Sequence, residues 1–341
     1  MIKTIISEIT RPAGVSGDEG EAAQVAAGLL SRYGTVTTDV LGNVICSVSP
    51  VPESGEHLLL DAHLDQIGMI VQSIDDKGFI KVAKCGGIDR RVLMASEVTV
   101  YGKQPLYGVV CSSPPHLSAE GADKKAPKFE DIAIDIGLSK TEAEEMVSPG
   151  DRVVLRGDVV ELAGGQIVSQ ALDDRACCAI ILRALNLIAG KKLNIGLTAL
   201  FSTREEVGGQ GAKTGAYAIA PTQAIVLDVS FALTPDSPKS KCGEMGKGAM
   251  IGFAPTISRR FSQELCALAK EQGIPFQREI MDGRTGTNAD EIVVSRGGVE
   301  TGMVSVPIRY MHMPVETVDP EDIEASAKLI AAYILEKGGA R

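Results

Sequence analysis

The sequence contains no tryptophan, and phenylalanine and tyrosine together make up only 4% of its 341 residues. Aromatic platforms on which bases or sugars could stack are therefore scarce. An excess of basic residues is also missing, since 34 Lys and Arg stand against 44 Asp and Glu and give a net charge of −10. An acidic chain without a basic run is poorly suited to phosphate backbones, so we expect no nucleic-acid partner.

Long apolar segments and paired cysteines are absent as well. No apolar run reaches the roughly 20 residues that cross a bilayer, so no membrane partner is expected. The segment MIKTIISEIT has too short an apolar run, with Glu8 inside it, for a signal peptide. The seven cysteines are odd in number, scattered and without CxxC spacing. We therefore expect reduced thiols in a cytoplasmic protein.

The chain length, divided by about 150 residues per domain, suggests two domains. Short apolar runs that end in a polar residue and precede a helical pattern recur along the chain, which predicts an α/β sheet with buried strands. The final helix has the clearest signals. Asp319 is placed to cap it, Pro320 suits its first turn, and Gly338 is placed to end it.

The segment 67–162 has a different pattern. It is rich in Val, Ile and Gly and contains the strand-like pieces GMIVQSI, GFIKVA, EVTVYG, YGVVCS and DRVVLRG. This pattern is typical of a small all-β unit, which we interpret as an inserted β-barrel domain. The predicted division is a catalytic domain formed by 1–66 and 163–341, interrupted by the barrel at 67–162.

Ligand-type side chains follow the predicted strands of the catalytic domain. Ligands of open α/β sheets bind at the carboxyl ends of the strands, where we expect these groups to meet. Each one alone has an ordinary explanation, such as a turn, a helix cap, a satisfied buried histidine or a solvated acidic pair. Together they supply two imidazoles and four carboxylates. The candidate residues are His63, Asp173, Glu205, Glu206, Asp228 and His312.

Imidazole and carboxylate are the usual ligands of catalytic zinc, and a carboxylate can bridge two ions about 3.5–4 Å apart. The set suits two divalent ions better than one. Adjacent Glu205 and Glu206 can divide the work, one holding metal and one handling protons. Asp65, two residues after His63 on an extended segment, can orient that imidazole. His57 precedes an apolar strand and is predicted to lie at the surface.

Other catalytic motifs are missing. The sequence has no HExxH and no GxSxG, and in GGQGAKTG an alanine, Ala212, precedes Lys213 where a phosphate-binding loop requires glycine.

The sequence resembles the M42 metallo-aminopeptidases, the glutamyl aminopeptidase and TET peptidase group. The resemblance runs in the family's order along nearly the whole chain. It is carried by His63-Leu64-Asp65-Gln66-Ile67-Gly68, Pro114-Pro115-His116-Leu117, Ala171-Leu172-Asp173-Asp174-Arg175, Glu205-Glu206-Val207-Gly208, Asp228-Val229-Ser230 and Arg309-Tyr310-Met311-His312-Met313-Pro314-Val315-Glu316.

The resemblance implies a mixed-sheet, zinc-peptidase-like catalytic domain and assigns a role to each candidate. His63 and His312 match the terminal ligands of two metals, and Asp173 matches the carboxylate that bridges them. Glu206 and Asp228 match the remaining ligands, one on each ion. It further implies that Glu205 is the general base, that Asp65 stands behind His63, and that the Asp173–Asp174 peptide bond is cis.

Three positions depart from the family's pattern. Gln66 stands where an acid is common, Asn288 stands where Asp is usual, and Cys177-Cys178 replaces a frequent Gly-containing pair. We expect none of them to touch a predicted ligand. For His116 we favour a structural or interface role over a ligand role.

The favoured function is a cytoplasmic dinuclear aminopeptidase that removes N-terminal residues from short peptides, with zinc or cobalt as the metal and manganese also acceptable. Because every candidate site residue lies outside 67–162, the insertion is predicted to mediate self-association. The resemblance implies homodimers that assemble into a dodecamer. One alternative is a related dinuclear carboxypeptidase or N-acyl amino acid deacylase. A weaker one is an endoglucanase-type glycosidase, which needs two opposed carboxylates and no metal.

Overall fold

A computed structural model describes residues 1–113, 115–117 and 126–339. Its helices are α1 (Ile2–Thr10), α2 (Gly20–Leu30), α3 (Lys140–Met146), α4 (Leu172–Leu187), α5 (Gln210–Ile219), α6 (Arg259–Glu271), α7 (Ala289–Ile292) and α8 (Pro320–Lys337). Its strands are β1 (Thr35–Thr38), β2 (Val44–Ser49), β3 (His57–His63), β4 (Gly68–Ile74), β5 (Ile80–Cys85), β6 (Glu97–Tyr101), β7 (Pro105–Val110), β8 (Ala133–Asp135), β9 (Arg152–Leu155), β10 (Val160–Glu161), β11 (Ile167–Ser169), β12 (Gly196–Ser202), β13 (Gln223–Phe231), β14 (Ala249–Phe253), β15 (Phe276–Ile280), β16 (Glu300–Arg309) and β17 (Glu316–Val318).

A mixed sheet forms the larger part of the molecule, in the order β1-β2-β12-β3-β13-β16-β17-β11-β10, with β14 joined to β16 and β15 joined to β14. Strands β12, β3, β13 and β16 are parallel to one another, whereas β1, β2, β17, β11 and β10 add antiparallel pairs. The predicted α/β class with a mixed sheet is confirmed.

Strand β3 lies at the centre of this sheet and is buried along its whole length. Leu58 and Leu60 belong to the core that packs under α1, α4 and α8, whereas Leu59 belongs to the core on the opposite face, with α5 and α7. A strand covered on both faces needs a continuous apolar run rather than an alternating one. Each buried leucine contributes roughly 1.5–3 kcal/mol to this arrangement.

A closed barrel in the order β4-β5-β8-β7-β6-β9 forms the second unit. It has its own apolar core, in which residues such as Met69, Val100 and Val153 are fully buried. All six barrel strands lie within the segment 67–162, and the predicted strand pieces coincide with β4, β5, β6, β7 and β9. Strand β10, in the same segment, pairs instead with β11 of the mixed sheet. The expected small barrel is confirmed.

Helix signals in the sequence agree with the observed boundaries. Asp319 caps α8 by accepting a hydrogen bond from the Glu321 amide, and Pro320 occupies its first turn. Helix α4 begins at Leu172, but Asp173 and Asp174 have non-helical backbone angles and are joined by a cis peptide bond. The cis bond implied by the family resemblance is therefore present.

The state of the cysteines and the hydropathy of the helices complete the description of the fold. All seven cysteines are free. Among the helices of the described residues, none combines the length and the hydropathy that crossing a membrane requires.

The position of His57 differs from the predicted one. The sequence predicts a surface position, but His57 is buried as the first residue of the central strand β3, with its Nε2 2.8 Å from Thr198 Oγ1. Strand β12 lies in parallel register beside it, which provides this hydroxyl partner.

Candidate metal centre

The predicted site residues meet where the parallel strands β3 and β12 end. His63 is the last residue of β3 and lies level with Ser202, the last residue of β12. Glu205 and Glu206 follow β12 in a turn, and His312 follows β16. Ligands of open α/β sheets bind in the crevice outside such strand ends. The chain therefore brings together residues that are far apart in the sequence.

Asp228 also lies at this crevice, but not at a strand end as predicted. Strand β13 continues past it to Phe231, because β16 pairs with β13 along that whole stretch. On the other side, pairing of β13 with β3 stops at Val226 opposite Asp61. Two residues later, Asp228 has no strand pairing on that side and faces the end of β3.

The carboxylate of Asp173 lies between the two imidazoles. Its Oδ1 is 3.1 Å from His63 Nε2, and its Oδ2 is 3.1 Å from His312 Nε2. Glu206 Oε1 lies 3.2 Å from His312 Nε2, and Asp228 Oδ1 lies 4.0 Å from His63 Nε2. The cluster thus divides into two halves that share Asp173.

Both imidazoles present the same nitrogen to the cluster. The Nδ1 of His63 lies 3.0 Å from the backbone oxygen of Asp65, and the Nδ1 of His312 lies 3.0 Å from the backbone oxygen of Gly87. Because a carbonyl oxygen only accepts hydrogen bonds, each Nδ1 carries a proton and donates it. The Nε2 lone pair of each ring is then free to bind a metal.

The electrostatics of the cluster favour a bound cation. Burial lowers the pKa of His312, but Asp173 and Glu206 outweigh it and raise that pKa to about 11. Burial and the nearby Asp174 raise the pKa of Asp228 well above its ordinary value. Burial likewise raises the pKa of Glu205, to about 7. Carboxylates crowded in this way retain protons unless a cation replaces them.

Within the part of the chain that the structure describes, two groups of side chains have the spacing of metal ligands. One consists of His63, Asp174 and Asp228, the other of His63, Asp173 and Glu206, and in each group the ligand atoms lie within 4.8 Å of one another. Asp174 has one oxygen that accepts from the His63 amide and a second, buried oxygen that has no hydrogen-bond partner among the described residues. The donor set of nitrogen and carboxylate oxygen fits zinc and similar divalent ions.

Asp65 contacts both His63 and the turn that carries Glu205 and Glu206. Its buried Oδ1 lies 3.5 Å from His63 Nδ1. The same carboxylate accepts hydrogen bonds from the backbone amides of Glu205 and Glu206, at 2.9 and 3.2 Å, and from the Ser16 hydroxyl. Asp65 therefore holds the Glu205–Glu206 turn against the end of β3.

Glu316 is a positioning residue that the sequence analysis did not assign. Its buried carboxylate accepts from the backbone amides of Asp173, at 3.0 Å, and His312, at 2.8 Å. Strand β17 begins at Glu316 and pairs with β11, which leads into Asp173. One carboxylate thus fixes the segments that carry the shared acid and one imidazole.

The barrel also contributes to the site, although no residue of 67–162 was predicted there. Gly87 provides the carbonyl that binds His312, and a Cβ added at Gly87 would lie 2.7 Å from His312 Nδ1. A Cβ at Gly86 would lie 3.1 Å from Glu206 Oε2. Glycine at both positions allows this loop to approach the cluster closely.

The three departures from the family's pattern differ in their contacts. Asn288 donates to Asp61 and Ser202 behind the cluster. Gln66 is buried, and its side-chain oxygen has no hydrogen-bond partner in the described part of the chain. The expectation that none touches a predicted ligand is wrong for Cys178, whose Sγ donates to the His63 carbonyl at 3.4 Å. His116 is exposed, and Pro114 of the same motif lies outside the described residues.

Comparison with known proteins identifies the family of this chain. The family described as M42 glutamyl aminopeptidase matches residues 42–329. Lysyl aminopeptidase of Pyrococcus furiosus is 33% identical, over 97% of this chain and 96% of the relative. Aminopeptidase APDkam598 from the archaeon Desulfurococcus kamchatkensis has a TM-score of 0.92 at 31% identity, covering 98% of this chain and 94% of its own. The Pyrococcus horikoshii TET1 peptidase, described as assembling into a tetrahedron or a large octahedral shell, has a TM-score of 0.86 at 31% identity, with 98% and 99% covered.

A mixed α/β sheet with a closed barrel and a buried cluster of metal-ligand type is the architecture of an aminopeptidase-like hydrolase. The chain belongs to the M42 peptidase family, whose members depend on metal.

Replacing Glu316 with glutamine tests its positioning role. One acceptor oxygen becomes an NH₂ group that faces a backbone N–H, so either Asp173 or His312 is expected to shift. Substitution of a residue that orients a metal ligand typically lowers metal affinity 10–100-fold. We expect about that loss for E316Q in a titration with Zn²⁺. The exposed Glu321 gives the matched control, E321Q, which should bind as the wild type does. Equal affinities of the two variants would contradict the assignment.

Proposed function

We propose that this chain is a dinuclear metal-dependent aminopeptidase that removes single residues from the N-termini of short peptides. The observation that carries the proposal is the position of Asp173, with one oxygen 3.1 Å from each of the two imidazoles. A carboxylate placed in this way can bridge two ions about 3.5–4 Å apart.

The two halves of the cluster would each hold one ion. His63 and Asp228 would bind one, His312 and Glu206 would bind the other, and Asp173 would serve both. Zinc and cobalt suit these ligands best, and manganese is acceptable. When bound, such a pair of ions polarises a scissile carbonyl and lowers the pKa of water.

Glu205 is the proposed general base. Its backbone amide is held by Asp65, which fixes the turn from which the side chain reaches the cluster. Burial and the charges of Glu206 and Asp173 raise the pKa of Glu205, whereas the charge of His63 lowers it. The resulting pKa is about 7. A carboxylate positioned beside the attacking water can accept its proton and release it again. Glu205 would take the proton of the attacking water and pass it to the leaving amine.

A cavity of about 980 Å³ adjoins the cluster and is lined in part by Asp228, Glu205 and Met311. It has room for several residues of a peptide. The carboxylates that line it favour a free α-ammonium group of the substrate, and a bound metal would accept the deprotonated amine. This preference for an unblocked N-terminus distinguishes the aminopeptidase from a carboxypeptidase or an N-acyl amino acid deacylase.

The metal content tests the dinuclear arrangement. Reconstitution with Zn²⁺ or Co²⁺ should give two ions per chain by elemental analysis, because the donors exceed the needs of one tetrahedral site. Removal of the ions with a chelator should abolish hydrolysis, and their return should restore it. A plateau at one ion per chain would rule out the dinuclear mechanism.

Glutamine substitutions separate the roles of the adjacent glutamates. E205Q should keep the fold and both metals but lose roughly 10²–10⁴-fold in kcat, since only the proton acceptor is removed. E206Q should instead weaken metal binding, because a ligand is lost. Kinetics and metal analysis of both variants provide the measurement. The reverse pattern would exchange the two assignments.

A pair of peptides that differ only in N-terminal acetylation tests where the enzyme cuts. The free peptide should lose single residues stepwise, whereas the acetylated one should be cleaved several orders of magnitude more slowly, because a polar group of the site loses its partner. Mass spectrometry of the products gives the readout. Equal cleavage of both peptides, or internal cuts, would leave only a general metallohydrolase.

We further propose that the barrel mediates homodimers that assemble into a dodecamer. The Pyrococcus horikoshii TET1 peptidase, which resembles this chain along its length, is described as assembling into a tetrahedron or a large octahedral shell. Light scattering should therefore give a mass about twelve times that of one chain. A monomer that persists at micromolar concentration would contradict this.

A further inference from the structure

Glu279 lines the same cavity, away from the metal cluster. It lies in strand β15 and accepts hydrogen bonds from the hydroxyls of Ser230 and Ser305, the latter at 2.8 Å. Within the described residues no Lys, Arg or His forms an ion pair with it. A carboxylate offers about four acceptor sites, and the two serines use two of them. The remaining sites are available to a ligand.

The strand register explains how an edge strand reaches the site. Glu279 pairs with Gly252 of β14, Met250 of β14 pairs with Ser305 of β16, and Ser305 pairs with Asp228 of β13. Partners in register, and residues two apart on one strand, have side chains on the same face. Glu279 therefore shares a face with Asp228.

Gly252 of β14 leaves space for the Glu279 side chain to cross that strand. It has no side chain, and a Cβ there would lie 3.0 Å from Met281 Cε and 3.1 Å from Met303 Cβ. Glu279 can consequently extend over β14 to Ser305 and Ser230. Ser230 lies two residues along β13 from Asp228, which is about 7 Å. The Glu279 carboxylate therefore binds the hydroxyl of the residue that lies two positions along β13 from Asp228.

Apolar side chains lie beside these polar groups on the same side of the cavity. Met250, Met281 and Met303 line the cavity on the same side as Glu279. Methionine side chains are flexible and adapt to unbranched partners. A wall of this kind suits the four-carbon stem of lysine or the stem of arginine, which pack along apolar surface with the charge at the end.

Three Lys and Arg side chains also line the cavity, Lys241, Arg278 and Arg284, and among the described residues none of them forms an ion pair with Glu279; Lys241 is exposed. Arg284 pairs with Asp290 and Glu291, at 3.4 and 3.6 Å. Arg278 alternates with Glu279 along β15 and lies over the ring of Phe253, 5.7 Å from its centroid. Burial raises the pKa of Glu279, which a cation supplied by the substrate would reverse.

We propose that Glu279 is the specificity-determining residue of the cavity and selects peptides whose N-terminal side chain carries an ammonium or guanidinium group. The inference rests on the proposed aminopeptidase function and adds to it the substrate class. Met250, Met281 and Met303 hold the stem, and Glu279 receives the charge at its end.

The test compares lysyl and norleucyl p-nitroanilides, which share the stem and differ in the terminal charge. A charge-assisted hydrogen bond in a buried site corresponds to about 10–100-fold, so the wild type should prefer lysine by that factor in kcat/KM. In E279Q the lysine-to-norleucine ratio should fall to near one. Use of the ratio cancels any general loss of activity in the variant.

The control is E244Q, which removes the same charge from an exposed residue outside the cavity. Its ratio should match that of the wild type. A wild type that cleaves norleucine as well as lysine overturns the inference without any variant, and so does an unchanged ratio in a folded, metal-replete E279Q. A wild type that cleaves no unblocked aminoacyl substrate refutes the proposed function instead.

Discussion

Mutual repulsion among buried carboxylates is the constraint on which the structure of the site depends. Asp173, Glu205, Glu206 and Asp228 crowd one crevice together with two imidazoles. Left alone, groups of like charge in a medium of low dielectric separate or take up protons. Here hydrogen bonds to backbone amides hold the segments in place, so the charge can be balanced by metal ions rather than by movement.

Much of the fold could be predicted from local pattern. Strand β3 was recognisable because a strand buried on both faces must be apolar throughout, and most barrel strands because Val, Ile and Gly recur at short intervals. The boundaries of α8 followed from Asp319 and Pro320, whose effects are local. The short barrel strand Ala133–Asp135 was not foreseen, since three residues carry too little pattern.

The features that could not be predicted depend on contacts between residues that are far apart in the sequence. Asp228 lies inside its strand because β16 extends the pairing, and His57 is buried because β12 supplies Thr198. Glu316 binds an amide 143 residues away, and Gly87 binds a ring 225 residues away. The periodicity of the sequence carries no information about such contacts. The ligand-type residues themselves were recognisable because their chemistry is specific, while the residues that orient them are ordinary acids and glycines.

The contact between Gly87 and His312 has a consequence for how this chain could be shortened. The carbonyl of a barrel loop decides which nitrogen of that imidazole carries the proton. A minimal version in which a short turn replaces the barrel would keep every ligand-type side chain and still lose this control, because the ring could then exchange between tautomers. The insertion is therefore not a detachable module, because one of its loops takes part in the site.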